Sequence, residues 1–105
     1  MNRKSILAMS GLVRGPAYPG DLVKRVLHDA KVDLGLVAIY TTLNRLESSG
    51  MVKSYFDESG ERTPSGRRRK LYQLTADGHE ILREIRLAEG PAQLVASEQM
   101  GGALG

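Results

Sequence analysis

The stretch that most constrains the fold runs from Leu36 to Gly50, with the sequence LVAIYTTLNRLESSG. Its apolar residues recur three or four positions apart, a spacing that places them along one side of an amphipathic helix. These residues are Leu36, Ile39, Leu43 and Leu46. The spacing predicts a helix that buries this side in a core and ends at Ser48-Ser49-Gly50, where the glycine supplies a left-handed cap.

The opposite side of this helix carries small hydrogen-bonding residues and one guanidinium. Its members are Ala38, Thr41, Asn44, Arg45 and Ser48. A solvated helix surface usually mixes Lys and Glu, whereas short amides, hydroxyls and Arg suit the edges of bases. We therefore interpret this side as that of a DNA recognition helix. The alternative is an ordinary polar helix surface.

Charge is distributed unevenly along the 105 residues, which suffice for one domain with a small core. Residues 1–70 hold thirteen Lys or Arg against seven Asp or Glu, while residues 71–105 hold two against five. The two parts therefore carry +6 and −3, which sum to the net charge of +3. A basic N-terminal part and an acidic C-terminal part would orient the protein as it approaches phosphate, although such asymmetry also occurs without function.

Several classes of protein are disfavoured by composition. The chain has no Cys, which excludes disulfides and zinc sites built on thiolates. No apolar run reaches the roughly 18 residues needed to span a bilayer, and the N-terminus lacks the pattern of a cleaved signal. We expect a soluble, intracellular protein located in the cytoplasm and independent of membranes.

Two helices are predicted before the recognition helix. The first covers residues 3–13 and has Arg3 and Lys4 in its first turn, where the helix dipole disfavours cations; phosphate or simple solvation would relieve them. The second covers about 21–30, capped by Gly20 or Asp21, with Lys24, Arg25 and His28 toward water or DNA backbone. A short turn joins it to the recognition helix, which indicates helix-turn-helix.

A period of two after the recognition helix predicts a β-hairpin. Its strands cover Met51 to Asp57 and Arg69 to Leu74, separated by a polar insert typical of a long hairpin tip, a wing. Four successive cations lie on the far side of the insert: Arg67, Arg68, Arg69 and Lys70. We expect them to contact phosphates, with one arginine in a minor groove. A solvated loop is the alternative.

A fourth helix is predicted after the wing, with Thr75 as its cap. Its apolar stripe comprises Ile81, Leu82, Ile85 and Ala88, with Leu87 as a further candidate. Because this helix follows the three-helix core and its wing, we expect part of the stripe to pack on a second copy, although packing on its own domain is the alternative. Gly90-Pro91 is expected to end or bend it.

These elements define the predicted organisation of the chain. Residues 1–75 form a winged helix-turn-helix domain, 76–100 a C-terminal dimerisation helix and 101–105 a disordered tail. The fold class is mainly α with a small β-hairpin.

Three segments, in this order, resemble the PadR transcriptional regulators: GPAYPGDLVKRV, IYTTLNRLESSGMV and GRRRKLYQLTADG. The resemblance covers nearly the whole chain. It implies a winged helix-turn-helix dimer that represses a promoter by binding a roughly two-fold symmetric operator. The family's recognition-helix aromatic matches Tyr40, its Arg-Leu-Glu matches residues 45–47, and its wing cations match residues 67–70. Where the family usually has Thr and Pro beside the aromatic, this chain has Ala38 and Thr41, and Gly35 replaces the usual hydroxyl cap.

The predicted function is sequence-specific binding of double-stranded DNA by a homodimeric transcriptional repressor, without a cofactor. Thr41 and Asn44 would meet base edges, Tyr40 would contact a phosphate or lie partly in the core, and Arg45 would read guanine or pair with Glu47. The alternative is a winged-helix module that binds a protein through a surface that includes Met51, Tyr55 and Phe56. A small-molecule effector is left open by the sequence.

Two clusters contain His: His28 with Asp29 and Asp33, and His79 with Asp77 and Glu80. An enzyme is disfavoured, because neither cluster has metal-ligand spacing and no nucleophile motif or phosphate loop occurs.

Overall fold

The computed structural model describes residues 1–58, 66 and 68–100, with side chains described as far as Ala88. The tail at 101–105, expected to be disordered, lies outside the described residues. In chain order the elements are α1 (Arg3–Leu12), α2 (Pro19–Ala30), α3 (Leu36–Ser48), β1 (Val52–Phe56), β2 (Lys70–Leu74) and α4 (Ala76–Met100). The predicted fold class, mainly helical with a small antiparallel hairpin, is confirmed.

The core lies where the first three helices meet beside the hairpin. Met9 of α1, Leu22 of α2 and Leu43 of α3 are fully buried. The other members of the core are Ala8, Leu12, Ala17, Val26, Ile39, Leu46, Val52, Tyr72, Leu74 and Leu82. Gly11 lets α1 approach α2 closely, because a Cβ there would lie 2.6 Å from Leu22 Cδ1. Each fully buried large apolar side chain contributes about 1.5–3 kcal/mol, so this cluster holds the helices together.

The start of α2 differs from the prediction. Tyr18 is the N-cap in extended conformation, and Pro19 occupies the first turn. Proline suits this position because its ring fixes a helical φ and its missing N–H would have no helical partner. Gly20 and Asp21 therefore lie inside the helix, and the prediction that one of them caps it is wrong.

The turn between α2 and α3 depends on two residues with positive φ. Lys31 has φ 60° and ends α2, and Gly35 has φ 78° and precedes α3. Glycine adopts this backbone region without the steric cost that a side chain brings. The Asp33 carboxylate accepts a hydrogen bond from the Gly35 N–H at 3.1 Å and so stabilises the turn. The predicted arrangement of two helices joined by a short turn is present.

The hairpin is attached to the helical core through a third segment. β1 and β2 pair antiparallel, with Val52 opposite Leu74 and Phe56 opposite Lys70. Ala17, which precedes α2, forms a bridge with Tyr72 through two backbone hydrogen bonds of 3.0 and 2.9 Å. This bridge fixes the hairpin beside the start of α2.

The first turn of α4 is joined to the end of α3. As predicted, Thr75 caps α4: its Oγ1 accepts from the Gly78 N–H at 3.0 Å. The same hydroxyl donates to the Gly50 carbonyl at 2.6 Å, and the Thr75 N–H donates to the Met51 carbonyl at 3.0 Å. A Cβ at Gly78 would lie only 2.0 Å from the Met51 carbonyl oxygen. The helix can therefore approach this turn only because residue 78 is glycine.

Two expectations for α4 are corrected. Leu82, predicted as a dimerisation residue, is 2% exposed and packs in the core of its own chain, because α4 lies against α1 and β2. The helix also continues through Gly90-Pro91 to Met100, so the pair does not end it. Within the described residues, no helix combines the length and the apolarity that crossing a bilayer requires.

Candidate nucleic-acid interface

Helix α3 separates into a buried side and an exposed side. Ile39, Leu43 and Leu46 are buried as predicted. Leu36 is not: it is 49% exposed, because it lies at the first residue of the helix, beyond the neighbours that cover the rest of the stripe. Thr42, which was not assigned to either side, is buried.

The predicted reading residues occupy the exposed side of α3. Thr41, Asn44 and Arg45 are exposed, and Ala38 is half-buried. Tyr40 is 45% exposed, and so it has access to solvent while part of its ring is covered. The structure thus presents this set on one solvent-facing helix surface. Their role in binding remains a prediction.

Glu47, near the end of α3, pairs with the hairpin and not with Arg45. Its Oε2 accepts a hydrogen bond from the Ser54 hydroxyl of β1 at 2.5 Å. Gly50 has φ 79° and forms the predicted left-handed end of the helix region. Within residues 1–58, 66 and 68–88, the Arg45 guanidinium makes no hydrogen bond or ion pair. Arg45 is therefore available to a ligand, and the alternative that it pairs with Glu47 is not realised.

A cleft of about 470 Å³ lies between the start of α1 and the exposed side of α3. We call it the α1–α3 cleft. Its lining residues are Asn2, Arg3, Lys4, Ala38, Thr41, Thr42 and Arg45. Asn2 fixes this end of α1, because its Oδ1 accepts from the Ser5 N–H at 2.8 Å. The fold therefore places the cations predicted for the DNA backbone beside the helix predicted to read bases.

The wing cations have different surroundings. Arg68 forms an ion pair with Glu58 at 2.5 Å, and its guanidinium lies 5.0 Å from the centre of the Phe56 ring. Lys70 Nζ lies 5.8 Å from the ring centres of Phe56 and Tyr72. Arg67 lies outside the described residues. These aromatic contacts hold cations along the hairpin while leaving Arg68 exposed.

Arg69 belongs to a cluster that joins the wing to α2. Its guanidinium lies 3.6 Å from the centre of the Tyr18 ring, and the Tyr18 hydroxyl donates a hydrogen bond to Asp57. The bond to the Asp57 carboxylate, reinforced by desolvation, raises the pKa of the Tyr18 phenol. The phenol therefore stays a hydrogen-bond donor near neutral pH. This cluster connects the N-cap of α2 with the residue that follows β1 and the residue that precedes β2.

Arg25 corrects another expectation. We predicted that it faces water or DNA backbone, but its guanidinium donates to the carbonyls of Gly11 (3.2 Å), Gly15 (2.7 Å) and Pro16 (3.1 Å). It therefore stabilises the turn between α1 and α2. Lys24, one residue earlier, is exposed on α2 and remains a candidate for the DNA backbone.

A second cleft, of about 550 Å³, lies between the end of α1 and α4. We call it the α1–α4 cleft. Val13 and Leu87 line it and are 40% and 69% exposed. Of the predicted dimerisation residues, Ile81 and Ile85 are half-buried and Ala88 is exposed. Among the α4 side chains that the structure describes, Leu87, the further candidate for the stripe, is the most exposed large apolar one.

In the part of the chain that the structure describes, neither His-containing cluster forms an arrangement suited to a metal ion. The His28 side chain is 80% exposed and its Nδ1 lies 3.0 Å from Asp29, which also pairs with Arg14 at 3.0 Å. The hydrogen bond from His28 lowers the pKa of Asp29, and the Arg14 charge lowers it further. Among the residues that the structure describes, no group of three or more potential metal ligands occurs.

A helix-turn-helix followed by a two-stranded wing defines the winged helix class. The profile of the PadR-like family of transcriptional regulators matches residues 9–84, most of the chain. The chain therefore belongs to this family, which confirms the resemblance seen in its sequence. Because members of the family are transcription regulators, the prediction that the chain is not an enzyme is also confirmed.

Solved structures support this assignment. A PadR family transcription regulator from Clostridium difficile is 30% identical, with 96% of this chain and 100% of that chain covered and a TM-score of 0.75. One from Eggerthella lenta is 34% identical, with 86% and 79% covered and a TM-score of 0.64. Bacillus subtilis PadR in complex with operator DNA is 18% identical, with 80% and 46% covered and a TM-score of 0.66, and shows the fold alone. Comparison with curated proteins gave no match.

Proposed function

We propose that this protein is a sequence-specific DNA-binding repressor that acts as a homodimer on a two-fold symmetric operator. The observation that carries the proposal is the α1–α3 cleft, which adjoins the exposed side of α3. Its cations Arg3, Lys4 and Arg45 form no ion pair with the acidic side chains that the structure describes. A related fold, Bacillus subtilis PadR, has been solved with operator DNA. Because the ligand would be chromosomal DNA, we also propose a cytoplasmic location.

In this proposal α3 enters the major groove, and each exposed side chain makes a different contact. Thr41 and Asn44 hydrogen-bond base edges, and Arg45 donates to guanine, the commonest specific contact of arginine. Tyr40 donates its hydroxyl to a phosphate. The free guanidinium of Arg45 supports its assignment, since no described residue neutralises it.

Cations around α3 hold the DNA backbone. Arg3 and Lys4 lie in the first turn of α1, where the helix dipole repels positive charge and a phosphate would offset that repulsion. Lys24 of α2 makes a further backbone contact. These contacts supply affinity that depends on salt but not on sequence.

The wing makes the second set of DNA contacts. The cations at 67–70 meet phosphates or the minor groove, with Arg68 exchanging its exposed partner Glu58 for a phosphate. Arg69 orients the wing through its stacking on Tyr18. The surface of the alternative protein-docking module includes Phe56, which is 50% exposed, but the cations at 68 and 70 lie against this ring. Their charge favours DNA over an apolar protein partner.

Dimerisation is assigned to residues 76–100, with residues 1–75 as the DNA-binding unit. Ile81, Ile85 and Ala88 contribute, together with the exposed Leu87 and Val13 at the α1–α4 cleft. Two copies joined here set their recognition helices about 34 Å apart, one turn of duplex.

Selection from a randomised duplex library with the purified protein tests the proposal. We expect enrichment of one inverted repeat with half-sites about one helical turn apart, and retention of that duplex over a scrambled one at physiological salt. Binding of a protein partner with no duplex enriched would instead favour the interaction module.

A further inference from the structure

Val37 is the most exposed large apolar residue in the described part of the chain, at 81%. It lies in the first turn of α3 and shares one line of the helix with Thr41 and Asn44, four and seven residues later. Single exposed apolar residues are common and need no explanation by themselves. Val37 differs from such residues because it lies at the N-terminal end of the predicted reading surface, where a side chain would contact bases.

The N-terminal residues of a recognition helix contact base edges in the major groove. Valine has no donor or acceptor, so it gains nothing from the polar atoms there. The thymine C5-methyl is the apolar group that the base pairs present in this groove. Valine is also stiff, since one χ1 rotamer predominates in helices, so its methyl groups are positioned at little entropic cost.

We propose that Val37 reads the C5-methyl group of a thymine and so determines specificity at one position of each half-site. The inference rests on the proposed function and adds a residue and a base to it. Thr41 and Asn44 then read the polar edges of neighbouring bases. Cytosine is disfavoured at this position because its amino group would lose water beside valine without gaining an acceptor.

The surroundings of Val37 favour DNA as its occupant. Ala38 and Thr41, its neighbours on α3, line the α1–α3 cleft together with Arg3 and Lys4. An exposed apolar residue whose helix neighbours line a cleft with cations suits a thymine methyl group, which lies between the two phosphate backbones of the major groove. An apolar protein surface would leave those cations uncompensated.

Replacement of thymine by deoxyuridine tests the proposal, because it removes the C5-methyl and leaves the pairing and the O4 acceptor unchanged. Each thymine of the selected duplex is replaced in turn, and affinity is measured by fluorescence anisotropy. We expect one position per half-site where the parent protein binds about fourfold more weakly, the equivalent of roughly 0.8 kcal/mol for one buried methyl-sized group.

Val37→Ala supplies the second arm of a double-mutant cycle. We expect it to bind the thymine duplex more weakly and to show no further loss with deoxyuridine at that position, since both changes remove the same contact. Alanine raises helix propensity at this exposed site, so the variant should fold. Leu27→Ala, which truncates a 46% exposed residue of α2, should keep the full sensitivity to deoxyuridine.

Two results would overturn the inference in distinguishable ways. If a specific duplex is bound but Val37→Ala keeps the parent's deoxyuridine profile, Val37 does not read the methyl group while the proposed function stands. If no duplex is selected at all, the proposed function and this inference fail together.

Discussion

At the scale of single residues, neighbouring cations that look alike in sequence have different roles. Arg25 donates to three carbonyls at the turn between α1 and α2, whereas Lys24 beside it is exposed. A guanidinium can serve several acceptors because its donors form a planar fork, which an ammonium lacks. One position therefore supports the fold and the other is free for a ligand.

Arg25→Ala should lower the free energy of unfolding by about 2 kcal/mol, because hydrogen bonds from charged groups contribute roughly 1.5–3 kcal/mol. Lys24→Ala is the matched control and should change it by less than about 0.5 kcal/mol. Urea unfolding followed by circular dichroism measures both. Equal losses in the two variants would show that the carbonyl contacts of Arg25 do not stabilise the turn.

Tyr18→Phe should reveal a pH-dependent contribution to stability. The hydrogen bond to Asp57 raises the pKa of Tyr18 above its ordinary value of 10.0, so the folded state favours the neutral phenol. That contribution is complete below the unfolded pKa and is lost as pH rises through the higher folded pKa. The stability difference between parent and Tyr18→Phe should thus be constant below about pH 10 and shrink above it. Urea unfolding across this range provides the test, and a difference that grows above pH 10 would contradict it.

At the scale of elements, the junction between α3 and α4 depends on close backbone approach. Thr75 links the two helices by capping one and hydrogen-bonding the turn after the other. Gly78 allows that approach, since its Cβ position is occupied by the Met51 carbonyl. The orientation of the helix proposed for dimerisation is thereby tied to the helix proposed for reading DNA.

Gly78→Ala should destabilise the fold by about 1–3 kcal/mol or more, the range for overpacking, because a carbonyl oxygen cannot move aside like a side-chain end. Gly20→Ala is its control: this glycine also lies in a first helical turn, but a Cβ there meets nothing within 4 Å. The control should be neutral or slightly stabilising. Thermal and urea unfolding measure the stability of both variants. Equal stability would show that a Cβ at residue 78 does not clash with the Met51 carbonyl.

Local signals explain which elements were predicted from the sequence. The spacing of Ile39, Leu43 and Leu46, the two strands, and the Thr75 cap all depend on residues a few positions apart. Leu36 and Leu82 were misassigned because periodicity identifies the side of a helix without showing which neighbours cover it.

The candidate site was predicted in part for the same reason. The exposed side of α3 follows from its spacing, but the α1–α3 cleft and the Tyr18–Asp57 bond, which joins residues 39 positions apart, depend on tertiary packing. Nothing in the sequence marks Val37 as a DNA contact, because an apolar residue is ordinarily expected in a core. Only its exposure in the fold indicates otherwise.

At the scale of the whole molecule, the distribution of charge matches the two proposed roles, DNA binding and dimerisation. Residues 1–70 are basic and residues 71–105 are acidic. The reading helix, β1 and the wing cations belong to the basic part, and α4 belongs to the acidic part. The field therefore favours an approach with the α3 side toward phosphate and α4 away from it. In the proposed complex, α4 would then be available to pair with a second copy.

Leu87→Glu should shift a dimer toward monomer, because it would place charge at the exposed apolar surface of α4. Leu27→Glu, on α2, is the control and should leave association unchanged. Sedimentation velocity of the parent and both variants gives the answer. A monomeric parent, or a Leu87→Glu protein as dimeric as the control, would refute the assignment of this surface.

The central claim is that the exposed side of α3 reads sequence while the cations beside it hold the backbone. Fluorescence anisotropy of Asn44→Ala and Lys4→Ala, on the selected duplex and a scrambled one across a salt series, tests both halves together. Asn44→Ala should lose about 1–3 kcal/mol of discrimination between the duplexes. Lys4→Ala should weaken binding to both alike and reduce the salt slope by about 1. If Asn44→Ala instead discriminates between the two duplexes as well as the parent protein does, the claim is wrong.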